Sequence, residues 1–279
     1  MKKTSPPLPA RFRDKHVLYE ASVQEVDADL DFVARMFRRE RGRPLRMFRE
    51  DFCGTARICA TWVQRHPEHL AIGVDNHLPT LNWARKNHLA PLGEAGRRVT
   101  LIHGDVREIN RPRAEAIGAF NFSYSLFKTR EALREYFKHV RRSLTPDGLF
   151  VMDAFGGIRC VQYNKDIRSV PDAVTADGEK IPTFIYEWEH RHFDVIHNHL
   201  VCDIHFELGD GTRIDRAFTY DWRLWSLPEL REILAEAGFA SSNVYIHGWL
   251  PDGSADGVYR LRKRYDNEDG WIAYVVAIP

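Results

Sequence analysis

The sequence predicts a doubly wound α/β fold with a mostly parallel sheet and an antiparallel β insert. Three observations carry this. Between residues 45 and 154, short aliphatic runs alternate with segments of helical spacing, the pattern of βαβ units. From about Phe184 to Trp222 that rhythm gives way to three period-two runs without a helix period. After Ser226 it resumes with one helix and two closing strands, which brings the sheet to seven strands.

In order along the chain, residues 1–16 are rich in proline and charge and are expected to form an unanchored arm. Val23, Val26, Leu30, Val33, Met36 and Phe37 follow helical spacing, so one helix is expected over 19–41, stopped by Gly42 and Pro44. Strands are expected at 45–52, 70–74, 99–103, 116–123 and 149–154, with helices at 56–65, 79–89 and 131–144 between them. In the insert, Phe184, Tyr186, Trp188, His190 and His192 share one face of the first run. Leu200, Cys202, Ile204, Phe206 and Leu208 share one face of the second, and Gly209-Asp210-Gly211 signals a hairpin. Ser226-Leu227-Pro228-Glu229 opens a helix that Gly238 ends. The expected organisation is an N-terminal arm and helical cap over 1–43, an α/β core over 44–155, an antiparallel insert over 156–222, and completion of the core over 223–279.

A chain of 279 residues suits one to two domains. Its 40 basic and 39 acidic side chains leave a formal charge of +1, which argues against a protein that coats a polyanion. Four cysteines without a CxxC pair suggest neither a disulfide framework nor a cysteine-rich zinc site. The basic start has no apolar region behind it, and no 18-residue apolar run occurs, so the expectation is a soluble, cytoplasmic protein without a membrane segment.

Three places carry candidate chemistry. The turn at 50–56, Glu50-Asp51-Phe52-Cys53-Gly54-Thr55-Ala56, follows the first strand, and Gly54 lets backbone approach a ligand beside a helix N-terminus. Asp75 ends the second strand, where a carboxylate accepts from both hydroxyls of a ribose. Asp105 ends the third, where a carboxylate accepts from an adenine amine while the next N–H donates to the ring. Singly, these features also suit a tight turn or a helix cap. Together they line the carboxyl edge along which such sheets bind ligands.

On these residues the sequence resembles the class I S-adenosylmethionine-dependent methyltransferases from about residue 45 onward, the insert excepted. Glu50 and the loop Phe52-Cys53-Gly54-Thr55-Ala56 match the first motif, Asp75 the ribose-binding acid, and Asp105-Val106 the adenine-binding pair. Asn121-Phe122-Ser123-Tyr124 falls on the fourth-strand motif flanking the transferred methyl group. Asp147-Gly148 and the strand after it, and Glu236-Ala237-Gly238-Phe239, match later elements. The resemblance implies a Rossmann-like sheet and S-adenosyl-L-methionine held by Glu50, Phe52, Cys53, Gly54, Asp75, Asn76, Asp105, Val106, Asn121 and Phe122. Phe52 and Ala56 stand where the family has glycines, which bears on the seat of the cofactor's amino-acid end. A nicotinamide dehydrogenase is the rival for the same strands. It needs a Gly-x-Gly-x-x-Gly turn against its pyrophosphate, and only Gly54 is present.

Aromatic faces favour a sulfonium electrostatically, so Tyr19, Tyr124, Tyr186 and Trp188 are candidate substrate residues; packing of the insert on the sheet is the plainer reading of the last two. The cap and insert are expected to close over the donor, with Tyr19 a candidate lid residue; packing of Tyr19 as a core residue of the first helix is the plainer reading. Histidines at 190, 192, 197, 199 and 205 alternate on strands without a metal-site motif, so no metal is expected. Arg35, Arg38, Arg39, Arg41, Arg43, Arg46 and Arg49 read as a solvated face rather than an RNA surface, and the fourth strand lacks the Asn/Asp-Pro-Pro-aromatic motif of base-amine methylation. The expected function is methylation of a small molecule at oxygen, nitrogen or carbon. The alternatives are an RNA or protein methyltransferase and a degenerate module that binds the donor without turning it over. The acceptor atom, a general base and the oligomeric state are not legible.

Overall fold

The computed structural model describes residues 8–171, 173–175, 177–251 and 255–279. The chain begins with α1 (Lys15–Ser22), α2 (Val26–Arg41), β1 (Met47–Asp51), α3 (Arg57–Gln64), β2 (Leu70–Asp75), α4 (Leu78–Ala84) and β3 (Val99–His103). It continues through β4 (Ala114–Ala119), α5 (Arg130–Ser143), β5 (Leu144–Gly156), β6 (Asn164–Val170), β7 (Phe184–Asp194), β8 (His199–Leu208) and β9 (Arg213–Arg223). It closes with α6 (Leu227–Glu236), β10 (Ser241–Ile246), β11 (Arg260–Leu261) and β12 (Trp271–Ile278). Two compact units result: residues up to Gln24 with Ile158–Leu224, and Glu25–Gly157 with Trp225–Pro279. The cap expected over 1–43 is thus divided at Gln24.

In the larger unit an eight-stranded sheet runs β11-β10-β12-β5-β4-β1-β2-β3. The five strands β5, β4, β1, β2 and β3 are parallel, and β12, β10 and β11 are antiparallel. The strand beyond the expected seven is β11, two residues inside the basic run at 260–264, where no apolar alternation marks it. The chain winds from β1 outward to β3, then crosses to β4 on the other side of β1. That places the topological switch between β1 and β4, outside whose carboxyl ends open α/β sheets bind ligands.

One face is covered by α2 and α3, whose Leu30, Val33, Phe37, Ile58 and Trp62 share a core with Phe48, Val151 and Val276. On the other face, Leu133 and Phe137 of α5 and Leu230 and Leu234 of α6 share a core with Ile117, Phe150 and Val275. Each such side chain contributes about 1.5–3 kcal/mol when fully buried. Local signals set the helix ends. The Thr129 side chain accepts the Ala132 N–H at 3.2 Å, Ser226 and Glu229 form a capping box, and Gly42 ends α2 at φ +68°.

The single helix expected over 19–41 is instead two. Ser22 donates its hydroxyl back to the Leu18 carbonyl at 2.7 Å, and Glu25, at φ −102° and ψ 60°, interrupts the helical backbone. The apolar spacing continues across the break because Leu18 and Leu30 are buried in different cores.

The smaller unit is a four-stranded antiparallel sheet, β6-β7-β8-β9. Phe184, Tyr186, Ile204, Phe206 and Leu208 form its core with Phe12 and Leu18 of the N-terminal segment. Strand β6 has no counterpart in the sequence reading. It is an edge strand, mostly exposed, and its Asn164-Lys165-Asp166 start carries no apolar face. Among the described residues, no helix is long and apolar enough to cross a membrane.

Candidate functional site

The site is built on the carboxyl ends of β1 to β5. After β1 the chain turns through Phe52 (φ +59°), Gly54 (φ +50°) and Ala56 (φ +54°), all left-handed. The two positions where glycine is expected therefore keep a glycine backbone without its freedom, at about 1–2 kcal/mol each. The loop is tied down from both sides. Asp75, at the end of β2, accepts the Gly54 N–H through Oδ2 and the His77 N–H through Oδ1, both at 2.8 Å. The Cys53 N–H donates to the Val74 carbonyl at 3.0 Å, and Gly73 makes room for Cys53, since a Cβ there would lie 2.9 Å from Sγ. Across to β3, Gly104 N–H donates to the Asp75 carbonyl at 3.0 Å.

Ala56→Gly is expected to leave stability within about 1 kcal/mol of wild type in urea unfolding. Relief of about 1–2 kcal/mol of left-handed strain offsets the loss of a fully buried methyl, about 0.8 kcal/mol, and glycine's extra chain entropy.

Beyond the switch, Asn121 (φ +55°) and Phe122 (φ +57°) are also left-handed, and both donate their N–H groups to Asp153 of β5, at 2.7 and 2.8 Å. Asp105 holds the Arg107 side chain, with Nη2 at 2.6 Å and Nε at 3.0 Å, and this contact keeps its carboxyl below the ordinary range. Val106 is buried and Asn76 is exposed, its carbonyl 3.1 Å from His103 Nε2.

Acids crowd this edge. Burial pushes Glu50 well above the ordinary range, with Asp29 and Asp75 adding repulsion, and Glu50 retains the Cys59 thiol at 3.3 Å. Burial and the Asp29 charge act likewise on Asp153. Asp29 of α2, which accepts the Tyr274 hydroxyl, is pushed up to about 7, mainly by burial. A cation seated here relieves that repulsion, and an anion worsens it.

Asp29 gives a pH test. Its folded pKa lies above the ordinary 3.8, so between about 4 and 7 the folded state binds more protons than the unfolded one. Stability from this group is present at low pH and lost as pH rises toward 7. Asp29→Asn keeps an acceptor for Tyr274 and removes the titration. Urea unfolding from pH 4 to 8 is expected to show a shallower fall in the variant, the wild-type slope for one proton being at most about 1.4 kcal/mol per pH unit.

No protein-family model and no curated protein matches this sequence. Solved structures do match. An S-adenosylmethionine-dependent methyltransferase from Clostridium acetobutylicum superposes with a TM-score of 0.68 at 16% identity, over 97% of this chain and 99% of that one. CalS10, an amino pentose methyltransferase from Micromonospora echinaspora solved with S-adenosylmethionine, gives 0.64 at 16% identity, over 97% and 98%. The sugar N-methyltransferase KedS8 from Streptoalloteichus gives 0.62 at 17% identity, over 100% and 97%. The fold is that of the class I S-adenosylmethionine-dependent methyltransferases.

Within this methyltransferase fold, all ten expected cofactor residues fall on the carboxyl edge: Glu50 near the end of β1 with Phe52 to Gly54 after it, Asp75 at the end of β2 with Asn76 after it, Asp105 and Val106 after β3, Asn121 and Phe122 after β4. Of the expected substrate residues, one lies in the larger unit and three in the smaller. Tyr124 is 2% exposed in the core beside Phe127 and Tyr136, turned inward by the short helical turn Ser123–Leu126, so it does not offer its ring to an acceptor. Tyr19, Tyr186 and Trp188 belong to the smaller unit. The Tyr19 ring lies 4.9 Å from Phe218, Tyr186 is buried under the Arg168 guanidinium, and half-buried Trp188 joins Tyr220 and Trp222. Arg49 corrects the reading of the arginine stretch, being fully buried on β1 and paired to Asp51 at 2.7 Å. The sequence reading missed Asp153, whose partners lie 31 and 32 residues away, and Arg107, two residues past the acid it holds.

Proposed function

We propose that this chain is an S-adenosylmethionine-dependent methyltransferase acting in the cytoplasm on a small, non-nucleic-acid acceptor. The observation that carries the reading is Asp75. Its carboxylate fastens the Gly54 loop and ends β2 beside the switch, where an adenosine ribose is recognised. The donor set fits this nucleoside better than a dinucleotide. A bound sulfonium or ammonium favours the ionised forms of Asp29, Glu50 and Asp153, which burial otherwise disfavours, whereas a pyrophosphate offers them no such partner and lacks its glycine turn.

S-adenosylmethionine supplies a methyl group on a positively charged sulfur, open to in-line attack by an acceptor lone pair. This chain's own work is to bind and orient. Asp75 takes the ribose hydroxyls, Asp105 and the Val106 N–H take the adenine edge, and the Phe52–Ala56 backbone frames the amino-acid end. Such positioning and the exclusion of water supply much of the rate in a displacement of this kind.

The smaller unit holds an aromatic cluster, Trp188, Tyr220 and Trp222, with centroids 4.3–6.0 Å apart and Trp222 buried. The acceptor class proposed is a compact, hydroxylated or amine-bearing ring, in keeping with the amino pentose and sugar acceptors named for CalS10 and KedS8. Nucleic acid is not the partner. Arg39, Arg43 and Arg46 are ion-paired with Glu40, Glu115, Asp147 and Glu68, and Arg41 donates to the Gly148 carbonyl.

Calorimetry with S-adenosylmethionine and S-adenosylhomocysteine tests the first half, and mass spectrometry of an amino-sugar panel tests the second. Absence of binding by either nucleoside overturns the proposal. Binding without transfer to any acceptor class favours the non-catalytic module.

A further inference from the structure

We propose that Asp153 is a positioning residue for nucleoside binding. Its carboxylate accepts from two successive backbone N–H groups and so holds Asn121 and Phe122 in the left-handed conformation on the β4 side of the switch. This rests on the methyltransferase reading, in which those two residues line the cofactor.

The two strands that flank the switch, β1 and β4, end alike. Each is followed by a turn with non-glycine residues in the left-handed region, Phe52 and Ala56 after β1, Asn121 and Phe122 after β4. Each turn is fastened by an acid on the next strand outward. Strand β1 pairs with β2, whose Asp75 accepts the Gly54 N–H at 2.8 Å. Strand β4 pairs with β5, whose Asp153 accepts the Asn121 and Phe122 N–H groups at 2.7 and 2.8 Å. The parallel register sets Ala119 opposite Met152, so Asp153 stands one residue beyond the last pair, where the β4 chain leaves the sheet. Open α/β sheets bind ligands in the crevice at such a switch, so what fixes these two turns fixes its two walls.

Packing does not account for an acid at this position. Its strand neighbours Val151, Met152 and Ala154 are buried and apolar, and Asp153 is itself 8% exposed. Burial pushes its carboxyl well above the ordinary range, the Asp29 charge adds repulsion, and among the described residues no basic side chain pairs with it. The two N–H bonds act the other way, because they favour the ionised form. Such charge-assisted bonds are the strong kind, and they offset the steric cost of left-handed backbone at Phe122, a bulky residue that disfavours it. The same strand also bears on the Phe122 side chain, whose ring lies 4.4 Å from that of Phe155. Both carboxylate oxygens are engaged by backbone, so Asp153 acts through the turn it holds rather than on the ligand.

The test is calorimetry of S-adenosylhomocysteine on the full chain, which needs no acceptor. Asp153→Asn keeps the side-chain volume but offers one acceptor oxygen to two N–H groups. It is expected to weaken binding about fivefold, and Asp153→Ala roughly tenfold, with circular dichroism showing both folded. The Asp153→Asn change is then repeated in the Asn121→Gly protein. Glycine takes left-handed backbone without steric cost, so the loss there is expected to be about threefold smaller. A buried acid that only supports the fold shows no such dependence on residue 121. By nuclear magnetic resonance, the Asn121 and Phe122 amide protons of the wild type are expected far downfield, and at least one moves upfield in Asp153→Asn. The cycle on the isosteric Asp153→Asn decides the matter even if Asp153→Ala does not fold. Both variants binding within about twofold of a binding wild type, or equal losses with and without Asn121→Gly, overturns this proposal alone. Failure of the wild type to bind S-adenosylhomocysteine overturns the methyltransferase reading and this proposal with it.

Discussion

Arg49→Leu is expected to destabilise the protein by about 3–5 kcal/mol, the cost of breaking a buried ion pair from one side. Arg49 has no exposed surface. Its Nε donates to Asp51 Oδ1 at 2.7 Å and its Nη1 to the Ile109 carbonyl at 2.6 Å. The other Asp51 oxygen accepts the Tyr136 hydroxyl at 3.0 Å. Burial raises the Asp51 carboxyl and Arg49 is the chief opposing influence, so removing the guanidinium drives that carboxyl higher still. An acid whose folded pKa is raised loses stability as pH climbs through the window above its unfolded value. The deficit of Arg49→Leu is therefore largest near neutral pH and shrinks toward pH 4. Urea unfolding at pH 4.5 and 7.5 measures both statements. Adding Asp51→Leu to Arg49→Leu removes the stranded charge and is expected to recover much of the loss, because an apolar replacement of a buried pair is often neutral or better. A single variant within 1 kcal/mol of wild type at both pH values contradicts this role.

That pair also marks what sequence reading can and cannot reach. Strand ends in a parallel sheet are legible because an aliphatic run stops at a carboxylate, and in this way Asp75 and Asp105 stand out at the ends of β2 and β3. Arg49 is different. It lies among six other arginines in a short stretch, and it alone of the seven falls within β1. Asn121 and Phe122 give no sign of left-handed backbone, because what holds them there is Asp153 on the neighbouring strand. Strand β6 has no apolar face because it borders the sheet, and the break between α1 and α2 is masked by two cores that use one spacing. The cross-strand pairing of Glu187 with His205 depends on antiparallel register, which alternation alone leaves free by any even number of residues.

Asp75→Ala is expected to weaken S-adenosylhomocysteine binding by about 1–3 kcal/mol, roughly five- to 150-fold, with the fold intact. Two effects add in that number. The ribose hydroxyls lose a charged acceptor, and the Gly54 and His77 N–H groups lose the oxygens that hold them at 2.8 Å. A ligand change separates the two. In the wild type, removing a ribose hydroxyl from S-adenosylhomocysteine deletes a hydrogen bond to Asp75 and is expected to cost measurable affinity. In Asp75→Ala the same deletion meets no acceptor and is expected to cost nearly nothing. The difference between the two costs is the direct coupling of carboxylate to hydroxyl, free of any loosening of the loop. Asp75→Asn completes the series, since it retains one acceptor oxygen for a backbone N–H but not the charge, and it should fall between the other two. Calorimetry on the three proteins with the two ligands measures all six affinities. If the deoxy ligand loses as much in Asp75→Ala as in wild type, the ribose is recognised elsewhere along the edge, and Asp75 serves only to tie down the loop.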